Sequence, residues 1–202
     1  MSVPSYSSPA QRRIPQQKRG RRRVAGFLRA AACVITDMGY EQATMSAIAE
    51  RARSCIGSLY QFFPNKRSVA EALRDQYIEE IEQSWIALGR QAAALNAEDL
   101  AHRLVSLQIE IVKNHPALLA LLDVPPASHT RREMIRARIA TVLVSHKSRM
   151  SRTTALRIAS VVQQVSRALL TLYAQADADE KTAMIGEFKS VLTGYLVPKL
   201  KC

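Results

Sequence analysis

The sequence predicts an all-α protein, and three observations carry that reading. Apolar residues recur at three- and four-residue spacing from about Gly20 almost to the end of the chain. No segment alternates with the period of two that a half-buried strand requires. Glycine or proline stands at several of the breaks between periodic runs. About nine helices are expected, three in a short N-terminal domain over residues 20–66 and the rest in a larger helical domain over 67–202.

Taken in order, residues 1–19 hold Pro4, Pro9 and Pro15 among Ser and Gln, with little that could be buried. They are expected to form a disordered basic arm. Val24, Leu28, Ala31, Ile35 and Met38 mark one face of the first helix, and Gly39 stops it. Thr44 is placed to cap a second helix with an apolar face of Met45, Ile48, Ala49 and Ala52. Ala47 stands where a reciprocal capping box needs Glu or Gln. After Ser54–Cys55 a third helix should run to about Phe62 and stop before Pro64, with Leu59 and Phe63 facing inward. Asn65 can cap a long fourth helix carrying Val69, Leu73, Tyr77, Ile81, Trp85 and Leu88 on one side. Helical patterns follow over Leu100–Asn114, Ala117–Leu122, Arg131–Arg149, Thr153–Gln175 and Glu180–Leu196, broken at Pro116 and Pro125–Pro126.

Charge is distributed unevenly. Residues 1–70 carry twelve of the 29 Lys and Arg but only three of the 17 acidic residues, so most of the formal +12 sits on roughly a third of the chain. Positive charge localised in this way favours a polyanionic partner. No run approaches the roughly 18–20 apolar residues of a spanning helix, so no membrane partner is expected. MSVPSYSSPAQRR has no apolar core of a secretory signal. Cys33, Cys55 and Cys202 show no metal-ligand or redox spacing, and a cytoplasmic protein with reduced thiols is expected, Cys33 packing in the core. His102, His115, His129 and His146 are too widely spaced for a local metal site and read as surface or cap residues. No nucleophile elbow or phosphate loop is present, so neither catalysis nor a cofactor is expected.

The most informative stretch is GYEQATMSAIAERARSCIGSLYQFFPNK, residues 39–66. A short helix, a tight turn and a second short helix ending at a proline, just behind an arginine-rich arm, is the layout of a helix-turn-helix DNA reader, with its motif over about 43–62. TMSAIAERARSCIGSLYQFFPNK resembles the DNA-binding domain of the TetR (tetracycline-repressor) family of bacterial regulators. The resemblance covers roughly Gly20–Asp75, and Gly57-Ser58-Leu59-Tyr60 followed by Phe63-Pro64-Asn65-Lys66 is its most specific part.

Each candidate contact has its own chemistry. Thr44 opens a helix whose free N–H groups and dipole favour a phosphate. Gly57 lets the recognition helix approach closely, and Ser58 and Gln61 are read as exposed polar groups for base edges, Gln pairing with adenine. The resemblance implies that Tyr60 reaches a phosphate. Lys66 would neutralise another. Each of these has a plainer counterpart: a simple cap, tolerance of glycine, packing, or a solvated lysine. Ser46 and Ile56 complete the expected set on the motif, and Arg22 and Arg23 continue it from the basic cluster that begins at Arg12, Arg13, Lys18 and Arg19. That cluster suits a minor-groove or phosphate-tracking arm. The turn departs from the usual family pattern: Arg53, Ser54 and Cys55 stand where a glycine or small residue, an apolar residue and Ser or Thr are common. Arg53 adds a cation, and Ser54 offers a cap one position before the poor cap Cys55.

The resemblance also implies a homodimer through the last two helices, about 153–175 and 180–196. Their stripes are Ile158, Val161, Val162, Val165, Leu169 and Leu172, and Ile185, Phe188, Val191, Leu192 and Leu196. A dimer requires a near-palindromic double-stranded operator. The middle helices would enclose an effector pocket with Trp85, Leu104, Gln108, Ile111, Leu119 and Tyr173 as candidate lining, and their mostly apolar character points to a small hydrophobic or aromatic effector. The expected function is a ligand-released transcriptional repressor. The alternatives are a non-specific architectural DNA binder without an effector and, less favoured, an enzyme using the helical cavity.

Overall fold

The structure is a computed structural model that describes residues 18–122, 124 and 130–200. Nine α-helices follow one another without a strand among the described residues. They are α1 (Lys18–Gln42), α2 (Met45–Arg51), α3 (Ile56–Tyr60), α4 (Lys66–Gln91), α5 (Ala97–Asn114), α6 (Ala117–Ala120), α7 (Thr130–His146), α8 (Arg152–Gln175) and α9 (Ala178–Leu200), with a short 3-10 turn at Ala92–Ala94. The chain divides into two compact units, one ending at Asp75 and one beginning at Gln76. The first turns of α4 therefore belong to the N-terminal unit, beyond the expected boundary at residue 66. Arg12, Arg13, Pro125–Pro126, His129 and Cys202 lie outside the described residues.

The N-terminal unit is built on α1. Its helical path is interrupted at Gly39, whose φ of 79° suits a residue without a Cβ. The helix begins at Lys18, so Lys18 and Arg19 are helical and not the end of a disordered arm. Val24, Phe27, Leu28, Ala31, Val34 and Ile35 are buried, a wider stripe than the periodicity picked out, whereas Met38 is exposed. Cys33 is exposed too, on the side of α1 away from that stripe, and so is not a core residue. Phe27 meets Phe62 with ring centroids 6.2 Å apart, which fastens the end of α3 to α1.

In the C-terminal unit α5 is the central helix, with nine buried residues along its 18. It packs against α8 and α9, while α7 packs on α8. Three of these helices start at side-chain caps. Asn96 Oδ1 accepts from Asp99 N, Ser151 Oγ from Thr154 N, and Asp177 Oδ1 from Glu180 N. His115 occupies the C-cap of α5 with its ring tilted against Tyr77, and His146 Nδ1 lies 2.8 Å from the Ala92 carbonyl, both in keeping with cap histidines. The terminal helices divide their apolar residues between two directions. Ile158, Val162 and Leu169 of α8 and Leu192 and Leu196 of α9 are buried within the chain, but Val161, Leu172 and Val191 face out.

Candidate nucleic-acid interface

Local sequence explains the geometry of α2, the turn and α3. Thr44 Oγ1 accepts a hydrogen bond from Ala47 N at 3.1 Å and so caps α2. At the other end Arg53 N donates to Glu50 O and Ser54 N to Ala49 O, the pair of bonds by which a helix ends on a left-handed residue. Glycine usually fills that position; here it is Arg53, with φ 50°. The N-cap of α3 is Cys55, and no side chain caps it. Ser54 is therefore not the cap, because its backbone is committed to closing α2.

At 100° per residue, positions 56, 57 and 60 of α3 and its C-cap residue 61 share one sector of about 140°. The structure leaves all four exposed, with Ile56 at 42% and Tyr60 at 49%. Leu59 falls outside that sector and is fully buried, as is Phe63 just beyond the helix, both as the sequence implied. Ser58 shares that side. It is only 6% exposed and its Oγ is buried without a hydrogen-bond partner, so it is not the exposed polar group the sequence suggested. Ser58 lies about 60° beyond Gln61 on the helix, and that step carries it past the edge of the exposed sector to the buried side. Gln61, Gly57, Tyr60 and Ile56 form the presented surface, and a Cβ added at Gly57 would meet nothing within 4 Å.

The same unit exposes cations and hydroxyls. Arg22, Arg23 and Arg53 are exposed, as are Thr44 and Ser46, and Ser54 is half-buried. The first turn of α1 contains no acidic residue to balance its basic ones, an arrangement that opposes the helix dipole. Such a turn gains by meeting an external anion. Lys66 differs from the other cations. Its Nζ donates to the carbonyls of Tyr40 at 2.7 Å and Glu41 at 2.8 Å and lies 4.4 Å from the centre of the Tyr40 ring. It is neither a solvated lysine nor a free cation, since it ties the start of α4 to the end of α1. Burial, reinforced by Glu41, raises the Tyr40 phenol above its usual pKa. Arg51 pairs with Asp37 at 2.7 Å across α2 and α1.

In the C-terminal unit an open cleft of about 360 Å³ lies between α4 and α7. It is lined by Trp85, Ile86, Gly89, Arg90, Arg138, Thr141, Val142 and Ser145. Of the expected lining residues only Trp85 borders it. Leu104 and Tyr173 are buried in the apolar core, Ile111 and Leu119 are packed against that core, and Gln108 is buried. The sequence reading missed the α7 residues because an amphipathic helix does not disclose which neighbour its half-exposed flank meets. Arg138 is held by Glu82 of α4, Nε donating to Oε2 at 2.9 Å.

Comparison with known proteins agrees with this architecture. Residues 27–73 match bacterial regulatory proteins of the tetR family, and residues 97–196 match the tetracyclin repressor-like C-terminal domain. The A-factor receptor protein of Streptomyces griseus is 37% identical over 90 residues, 40% of this chain and 33% of the relative. The match thus spans about a third of the length of that curated relative. Among solved structures, a TetR-family transcriptional regulator from Pectobacterium atrosepticum superposes with a TM-score of 0.71 at 16% identity, covering 90% of this chain and 96% of the other. The transcriptional regulator FadR from Bacillus subtilis, in complex with stearoyl-CoA, gives 0.59 at 16% identity, covering 86% and 97%. These similarities share the fold. No helix among the described residues is long and apolar enough to cross a membrane. The chain belongs to the TetR family of bacterial regulatory proteins.

Proposed function

We propose that this chain is a cytoplasmic repressor that binds a near-palindromic operator as a homodimer, is released by a small-molecule effector, and turns over no substrate. The observation that carries the DNA-binding part is the outward sector of α3, where Ile56, Gly57, Tyr60 and Gln61 are all exposed. In the same unit Thr44, Ser46, Arg22, Arg23, Arg53 and Ser54 supply hydroxyls and cations for phosphates, which fix register without reading sequence. Ser58 supports the helix from its inner side. Lys66 positions α4 and keeps one N–H for a phosphate.

Val161, Leu172 and Val191 support the dimer, being left in water by a chain that buries the inner halves of the same helices. The cleft supports an effector. Trp85, Ile86 and Val142 offer an apolar wall, and the exposed Arg90 offers a counter-charge to an anionic group. Such an effector acts by differential affinity. Each tenfold loss of operator binding requires about 1.4 kcal/mol of coupling, and operator must weaken effector binding by the same factor.

The test is to select duplexes from a random pool with the full chain and compare selected with unrelated DNA. Gln61→Ala should then reduce discrimination against a changed base pair by roughly 1–3 kcal/mol, the range of a bidentate contact. Equal affinity for all duplexes would instead make the chain a non-specific DNA binder.

A further inference from the structure

We infer that Ile56 reads a thymine, through its 5-methyl group, at one position of each half-site. This rests on the proposal that α3 is the DNA-reading helix, and it adds which base one of its side chains selects. Ile56 is the first residue of α3. In helix-turn-helix proteins that end of the recognition helix reaches the base edges.

A single surface isoleucine needs no explanation. The surroundings of Ile56 make this one informative. Among the described residues of the N-terminal unit, the other exposed large apolar side chains are Met38 and Tyr60. Tyr60 carries a phenol that can hydrogen-bond, and Met38 lies on α1. Beside Ile56 stands Gly57, where even an added Cβ would meet nothing within 4 Å. The chain therefore presents one unshielded aliphatic group, with no donor or acceptor, at the edge of its reading surface.

The major groove offers such a group one favourable partner, because thymine alone carries an apolar substituent there. Rejection points the same way. An isoleucine pressed on guanine O6 and N7, or on the cytosine amino group, would strip water from a polar edge and return no hydrogen bond. Gln61, at the opposite edge of the sector, has a different task, since its amide can pair with adenine.

The experiment uses the full chain and the best duplex it selects from a random pool. Each thymine is replaced in turn by deoxyuridine, symmetrically in both half-sites, which removes the methyl group and leaves base pairing intact. One buried methyl group is worth about 0.8 kcal/mol, or roughly fourfold in affinity, so a symmetric replacement should cost about 15-fold. Wild type should show that loss at one thymine position. Ile56→Ala should show none there, while the two proteins respond alike at every other thymine. A thermal melt of Ile56→Ala should match wild type, because the side chain is already half in water. If no uracil penalty depends on Ile56, or if Ile56→Ala relaxes selection only at a G·C pair, the inference is wrong. If the chain selects no preferred duplex, the DNA-reading proposal itself falls, before any uracil is introduced.

Discussion

Both units leave large apolar side chains in water, and they do so in different patterns. On α3 the exposed apolar residues, Ile56 and Tyr60, are one turn apart and interleaved with Gly57 and Gln61. On α8 and α9, Val161, Leu172 and Val191 lie on long helices whose other faces are already buried. The first pattern is short and mixed with polar groups, on the part of the chain that carries most of the net positive charge, which suits a polar groove lined with phosphates. The second has the character of a core left unfinished, which suits a second copy of the same helices. Apolar exposure alone does not name a partner; what is interleaved with it does.

Separate substitution of the two faces should break this comparison or sharpen it. The largest effect is expected from Val161→Glu combined with Val191→Glu. Carboxylates facing their own copies across a dimer contact would cost several kcal/mol, enough for a monomer and roughly a 100-fold loss of operator affinity. Both side chains are exposed within the chain, so the melt should move little. Light scattering reads the outcome, and a variant that stays dimeric would place the contact elsewhere. Gln61→Ala and Ile56→Ala should leave the oligomeric state untouched.

Lys66→Met comes next, and it separates two roles within one residue. Met keeps most of the apolar stem and removes the ammonium from the Tyr40 and Glu41 carbonyls. Partly exposed charged hydrogen bonds of this kind contribute about 1–2 kcal/mol, so a urea melt should shift by that amount. If Lys66 also meets a phosphate, the slope of log affinity against log salt should flatten by about 0.9 as well. A normal melt with a flattened slope would show that the clamp is dispensable.

Much of this was legible from residues alone, for identifiable physical reasons. Glycine at 39, Thr44 and Asn65 act through their own backbone neighbours, and each does what its residue type implied: Asn65 Oδ1 accepts from Ser68 N at 2.8 Å. Leu59 and Phe63 follow from helical period. What was not legible depends on distant partners or on angle within a face. The ammonium of Lys66 meets carbonyls some 25 residues earlier. Ser58 lies inward because its angle on the helix places it beside Leu59, and residue type alone does not disclose that angle. The cleft drew seven of its eight lining residues from positions that no motif marked.

The smallest expected effect is also the one with opposite signs in its two readouts. Arg53 closes α2 with φ 50°, a conformation that costs an ordinary L-residue about 1–2 kcal/mol and glycine almost nothing. Arg53→Gly relieves that strain but gives the unfolded chain more freedom, which offsets roughly 0.5–1 kcal/mol of the gain. A net stabilisation of about 0.5 kcal/mol should remain, visible as a small rise in the urea midpoint. The same change removes an exposed guanidinium beside α3. If that group meets a phosphate, operator affinity should fall even as stability rises, and the salt slope should flatten by up to about 0.9. Strain retained at an exposed residue is intelligible if its side chain serves binding. A variant that is more stable and binds DNA with an unchanged salt slope would leave the arginine at this position without that explanation.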